Sequence, residues 1–431
     1  MNKIFWVALA VVLVCGISCQ GNKKKKENNA VATVYPLKID KQYYIDKFSN
    51  IFKDVSYVAL EETRNSMIAE ITKLEITNDD DIIVFDSRAG AVFRFSPEGK
   101  FLNNIGFRGA GESEYILPAD IAYNPFTNEV LVWDNGKTAI LIYELNGELK
   151  SKIQLPWIIS KFGVLDNDHV ACYMNNSEVI RNGEKGTNYK IIKRDGTIEA
   201  EFGEYGVEKS GFSPAAEHAF CFQQGRCLHL PPCSDTIYTF DDDSLIPVAA
   251  FDLMDNAIPE KWLCGSHRDL RKKIEEYPNL IEITAVYETS KYYLLNLVRN
   301  HFGLFCMVQK DTKNIKCIAT EFFNDIYGLV QSSSLTYAHN DKLYFTIEPS
   351  TFEYKNQYLQ TIPKNKDIKD EMMNQKDLDC AVKASIYGSD GASAYIDSLE
   401  STTFKLAPGE QEFIEETAQS SNPIIQICTL K

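Results

Sequence analysis

The residues that could do chemistry are present but do not form a linear motif. Cys221, Cys227 and Cys233 bracket His229, a soft-ligand set that invites a metal reading. Five residues separate each successive pair of these cysteines, whereas a structural zinc site uses the tighter CxxC knuckle. If Gln224-Gly225 is a two-residue hairpin turn, Cys221 and Cys227 fall on opposite faces of the pair. Buried thiols, or one oxidised pair, are the expectation. Asp79-Asp80-Asp81 and Asp241-Asp242-Asp243 resemble calcium acids, yet an EF-type loop needs a spaced array ending in Glu. Both triplets sit at expected hairpin turns, so solvated acids are predicted. The six histidines (His169, His218, His229, His267, His301, His339) form no close pair at ligand spacing. HExxH, GxSxG, Walker A and a strand-linked GxGxxG are all missing. This silence withholds support for an enzyme, and a non-enzymatic role is the favoured expectation.

Elements must position whatever site exists, and composition bounds them. The 431 residues are 44% hydrophobic and 24% charged, with a net charge of −15. Such a chain is globular, and it lacks the basic footprint that nucleic acid requires. Aromatics at 12% lean toward β-structure.

Lys3 precedes an apolar run from Ile4 to Val14, too short to span a bilayer but right for a signal-peptide core. Gly16-Ile17-Ser18-Cys19 resembles a bacterial lipobox, with Gly16 in place of the usual Leu. Residues 1–18 therefore read as a lipoprotein signal peptide with Cys19 as the lipid attachment; an ordinary secretory peptide is the alternative. Residues 19–44, with Lys23 to Lys26, read as a flexible tether. The expected address is the cell envelope, anchored by lipid in the outer membrane, with the periplasmic leaflet favoured over the cell surface.

The body repeats. Ile82-Ile83-Val84-Phe85-Asp86 aligns with Val130-Leu131-Val132-Trp133-Asp134, and the two aspartates are 48 apart (134 − 86). Each run leads through a polar turn to a second strand and then a glycine, Gly99 or Gly147. That period fits a four-stranded propeller blade. Later units cover Ile159–Phe202, Ala219–Asp252 and Ile281–Phe322. A last blade combines Leu335–Tyr337, Leu343–Phe345 and Pro423–Leu430 with Tyr57–Glu61 from the N-terminal side. Pairing the two ends removes an open sheet edge. The expectation is an all-β, six-bladed β-propeller over residues 45–431, with helical insertions at about 260–278 and 365–386. Asp86 and Asp134 occupy equivalent places and are read as turn-capping acids.

Three stretches carry a family resemblance: Phe52–Glu61, Phe95–Phe101 with Gly106–Tyr115, and Ser234–Tyr238 with Pro247. They resemble the six-bladed β-propeller lipoproteins of Gram-negative anaerobes, relatives of NHL-repeat propellers. The family's junction reads Gly-x-Gly-Pro-Gly-Glu-Tyr or similar, and this chain has Gly109-Ala110-Gly111-Glu112-Ser113-Glu114-Tyr115. The glycines are expected to supply positive φ. Arg108, Glu112, Glu114 and Tyr115 are the candidate ligand-binding residues, because propeller loops carry function. Trp157, Trp262 and Tyr354 are further stacking candidates. The resemblance is specific for the fold and nearly silent on function. The first expectation is a binding or scaffold protein for a glycan, peptide or protein partner; the alternative, by analogy with some six-bladed propellers, is a channel-metal hydrolase or lyase, lactonase-like, which draws one ligand from each of several blades. No cofactor is expected under the first reading, and a divalent metal in the central channel under the second.

Overall fold

The fold is seen in a computed structural model that describes residues 31–39, 45–177, 184–214, 218–299, 302–319, 321–323, 335–347, 349, 412–413, 417 and 420–431. Cys19, Tyr354, His301 and the 365–386 insertion lie outside the described residues.

Six antiparallel four-stranded sheets follow one another along the chain. Blade 1 is Lys73–Ile76, Ile82–Asp86, Ala91–Phe95 and Phe101–Asn104. Blade 2 is Pro118–Asn124, Glu129–Asp134, Ala139–Glu144 and Leu149–Gln154. Blade 3 is Lys161–Val164, His169–Tyr173, Gly186–Lys193 and Ile198–Tyr205. Blade 4 is Phe220–Gln223, Arg226–His229, Thr236–Asp241 and Ser244–Asp252. Blade 5 is Ile281–Glu288, Tyr292–Arg299, Phe302–Gln309 and Ile315–Ala319. Blade 6 takes Leu335–His339, Lys342–Ile347 and Ile424–Leu430 from the C-terminal part and Phe52–Ala59 from the N-terminal part. In that closure Ile424 pairs with Ala59 and Cys428 with Val55. The first strands of the six blades touch in ring order, and the sixth returns to the first. The chain is a six-bladed β-propeller.

Burial follows from this arrangement. Middle strands such as Glu129–Asp134 are buried at every residue, because another blade packs on each face, so they read as continuous apolar runs rather than alternating ones. The outermost strand of blade 2, Leu149–Gln154, is mostly exposed and polar. The up-down order gives the ring two faces. Hairpin turns between first and second strands, and between third and fourth, lie on one (the turn face). Connections between blades, and between second and third strands, lie on the other (the loop face).

Three local expectations change. Residues 19–44 do not form a tether throughout: Thr33–Pro36 adds a fifth strand to blade 4, parallel to Ser244–Asp252, with Thr33 opposite Ala249 and Pro36 opposite Asp252. Tyr35, Leu37 and Ile39 are buried there, a period-2 apolar pattern that fits one strand face. Asp81 is also not solvated; it is buried and receives bonds from Arg94 Nε at 2.8 Å and Nη2 at 2.5 Å. Within the 260–278 insertion the helix proper is His267–Glu276, where the Ser266 side chain caps by accepting from the Asp269 N–H. The turn at Gln224-Gly225 is as expected, with φ of 51° and 75°, and Phe222 rather than Cys221 stands opposite Cys227.

Candidate functional site

The ring axis is where several blades can converge on one point, and charged side chains do meet there. Lys73, first residue of blade 1, is buried beside Glu75 of its own strand and Asp120 of blade 2. Its ammonium donates to Asp120 Oδ1 at 3.2 Å and to the Ile121 carbonyl at 2.6 Å, and lies 3.7 Å from Glu75 Oε1. Lys161 of blade 3 approaches the same Asp120 at 3.8 Å, and Asp120 also accepts the N–H groups of Ile121 and Phe162. From the other neighbouring blade, Tyr337 of blade 6 donates its hydroxyl proton to Glu75 Oε2 at 2.9 Å. Tyr287 of blade 5 donates to the Thr336 carbonyl at 2.6 Å. Nearer the turn face, Gln223 of blade 4 accepts the Glu288 N–H and donates to the Ala338 carbonyl, so one amide ties three blades.

Electrostatics follow from burial and these partners. Burial raises the Glu75 carboxyl from 4.5 to about 7, against the pull of Lys73 and Tyr337. Burial opposes charge on Lys73, yet Asp120 and Glu75 hold its pKa above the usual lysine value. His218 is pushed down to about 4, by burial first and then by Lys73 and Lys161, so it is neutral at pH 7. The space left among Lys73, His218, Cys221, Tyr287 and Tyr337 is about 10 Å³, room for at most one water.

This set does not suit a channel metal. The two carboxylates already share an ammonium, and a divalent cation placed between them would face Lys73 and Lys161 at close range. No group of three or more His, Cys, Asp or Glu side chains among the described residues could hold a metal ion. The cysteine–histidine cluster near residue 229 is likewise structural. His229 is fully buried among Tyr173, Tyr189, Phe220 and Phe240, with Nδ1 against the Ala219 carbonyl and Nε2 against the Tyr189 hydroxyl. Cys221 and Cys227 are thiols on opposite faces of their hairpin.

The blade 1–2 junction divides the four candidate ligand residues. Tyr115 is a core side chain: it is buried, packs edge-on against Tyr143, and its hydroxyl accepts the Val92 N–H. Burial pushes its phenol up to about 12. Glu114 bends back to accept the Gly111 N–H at 2.6 Å. Gly109 and Gly111 do not adopt positive φ; a Cβ at either would meet the Glu114 carboxylate at 2.0 and 3.0 Å, so that side chain would have to swing out of its present position. Positive φ falls instead on Gly106, where a Cβ would also strike Tyr143. Lys137 reaches under the loop and donates to the carbonyls of Gly111, Glu112 and Glu114. Only Arg108 and Glu112 present exposed side chains. The repeat-equivalent acids act as caps. Asp86 accepts the N–H groups of Ala69, Glu70 and Ala89, and Asp134 those of Ile116, Leu117 and Gly136.

The loop face carries a feature that no motif announced. Met67, Phe107, Ile116, Leu117, Ile158 and Val207 are all exposed, and all lie in connections between blades on that face. Trp157 and Trp262 are half-buried. Lys190 sits 5.6 Å over the first, and Tyr277 and Lys273 pack on the second.

Fold and site together define a β-propeller with an ion-paired, sealed axis and an apolar loop face. The chain belongs to the DUF4934 family, a domain of unknown function, which it matches over residues 33–379. That match begins at the first residue of the added strand on blade 4. Among solved structures it is similar to the Bacteroides fragilis protein named "Putative exported protein (BF0058)", at 14% identity and a TM-score of 0.66, over 93% of this chain and 100% of that one. A member of the DUF4221 family from Bacteroides vulgatus aligns at 10% identity and a TM-score of 0.48, over 68% of this chain and 91% of that one. No curated protein matches.

Proposed function

We propose that this protein is a binding or scaffold propeller of the cell envelope, and that its partner is a polypeptide docked on the loop face. The observation that carries the reading is the contrast between axis and face. The axis is filled by ion-paired side chains around a space of about 10 Å³, whereas ligand pockets run to hundreds of cubic ångströms. The loop face exposes aliphatic and aromatic side chains from successive connections, as recognition surfaces do. The exposed side chains of that face are mainly aliphatic rather than flat aromatic platforms, which favours a protein or peptide over a glycan.

The envelope address rests on the sequence, through the apolar run Ile4–Val14 and the lipobox-like Gly16–Cys19. The proposed anchor is Cys19, in the periplasmic leaflet of the outer membrane.

In-cell photo-crosslinking tests this. A photoreactive side chain is placed at Met67, Phe107, Ile158 or Val207, and in parallel at the turn-face positions Asn146, Gln224 and Asp242. Protein adducts from the loop-face set support the reading. Adducts confined to the turn-face set contradict it.

A further inference from the structure

Resting on that reading, we infer that the partner's docking segment is acidic as well as apolar, and that it seats on the loops of blades 1 and 2 around Arg88 and Arg108. Arg88 lies in the turn between the second and third strands of blade 1, and Arg108 in the connection to blade 2. The two loops meet at Gly90. A Cβ there would stand 3.4 Å from Arg108 Cδ and 3.6 Å from Nη1, so the arginine stem lies in van der Waals reach of the turn that carries Arg88. Both side chains are exposed, as is Arg64 on the preceding connection. None of the three forms an ion pair among the described residues, although the chain makes many elsewhere.

The surrounding carboxylates are not available or not engaged. Asp86 and Asp134 are spent on backbone N–H groups beneath the loops, Glu62 on Ser421, and Glu114 on Gly111. Glu70 and Glu112 are exposed but pair with neither arginine. The only other cation in these loops, Lys137, is consumed by three carbonyls. In a protein of net charge −15, two exposed arginines that form no ion pair among the described residues share these loops with Phe107, Ile116 and Leu117, which are 60%, 44% and 53% exposed. Arginine and aromatic side chains together are the composition of binding hot spots, and the guanidinium fork selects carboxylates. The complementary partner is a segment that offers Asp or Glu next to apolar side chains.

The test uses the full chain in its native envelope, with the photoreactive group at Leu117 and a charge-reversed Arg88→Glu/Arg108→Glu version of the same protein. The inference predicts that the captured peptide carries carboxylates within a few residues of the adduct. It also predicts that charge reversal lowers adduct yield about tenfold or more, because like charges then face each other. Adducts at Leu117 to a neutral or basic segment, or a yield indifferent to charge reversal, would overturn the acidic partner while leaving a loop-face binder intact. Adducts only at turn-face positions would overturn both. A circular dichroism spectrum matching wild type shows that the charge-reversed ring is folded, and Arg88→Gln/Arg108→Gln should give an intermediate loss.

Discussion

Replacing Glu75 by glutamine isolates the axial charge network. Glu75 is 5% exposed, and burial raises it from 4.5 to about 7. Between those values the folded ring holds a proton that the unfolded chain has released, so stability falls as pH rises through the window. At about 1.4 kcal/mol per pH unit the full effect is about 3 kcal/mol, of which about 2 falls between about pH 5 and about pH 8. His218, pushed down to about 4, works the other way: its contribution is present above 6.5 and is lost as pH falls toward 4. That opposing term is common to both proteins and cancels in the comparison. Urea unfolding followed by tryptophan fluorescence, at both pH values, should therefore show the wild type losing about 2 kcal/mol more than Glu75→Gln on going to high pH. Equal losses would mean that Glu75 is ionised throughout, and the description of the axis as a desolvated network would be wrong.

Other perturbations probe the parts that hold the site. Asp134→Ala removes the acceptor of three part-buried N–H groups, those of Ile116, Leu117 and Gly136, and should cost about 1–3 kcal/mol in chemical denaturation; Asp134→Asn should recover part of it. Leu37→Ala removes a side chain 1% exposed from the seam of blades 4 and 5, and a loss of about 2–4 kcal/mol is expected. A neutral result there would mean that the added strand at Thr33–Pro36 is not docked in solution. Tyr115→Phe should cost about 1 kcal/mol through the Val92 N–H and leave crosslinking at Phe107 unchanged. A lost adduct with intact stability would return Tyr115 to the binding surface.

Much of this architecture is legible in the residues because propeller blades repeat. Asp86 and Asp134 mark equivalent turns, and their spacing gives the blade length before any packing is known. The closing strand is legible for the same reason: Tyr57–Glu61 has no sheet of its own, and blade 6 lacks one strand. Thr33–Pro36 escapes because a parallel edge strand needs no turn beside it, and its only trace is the alternation Tyr35, Leu37, Ile39. The axial cluster escapes for a different reason. Lys73, Asp120, His218 and Tyr337 come from four blades and lie far apart in the chain, so only closure of the ring brings them together. Tyr115 misleads because an aromatic residue in a glycine-rich loop looks the same in sequence whether it faces solvent or the core. The loop-face patch is invisible to motif reading, since Phe107 and Leu117 acquire meaning only when the topology assigns their loops to one side.

On the proposed reading, the axis holds the ring together while the loop face does the binding. The most direct test is adduct yield from a photoreactive group at Phe107 in a triple variant, Lys73→Met with Glu75→Gln and Asp120→Asn. This variant removes the three most buried axial charges together, and Lys161, which is part-exposed, keeps the Ala119 carbonyl as its partner. In protein shown to be folded by circular dichroism, the account predicts a yield within about twofold of wild type, because mutations at separated sites act independently. A folded triple variant that loses the adduct would place function at the axis and contradict the account.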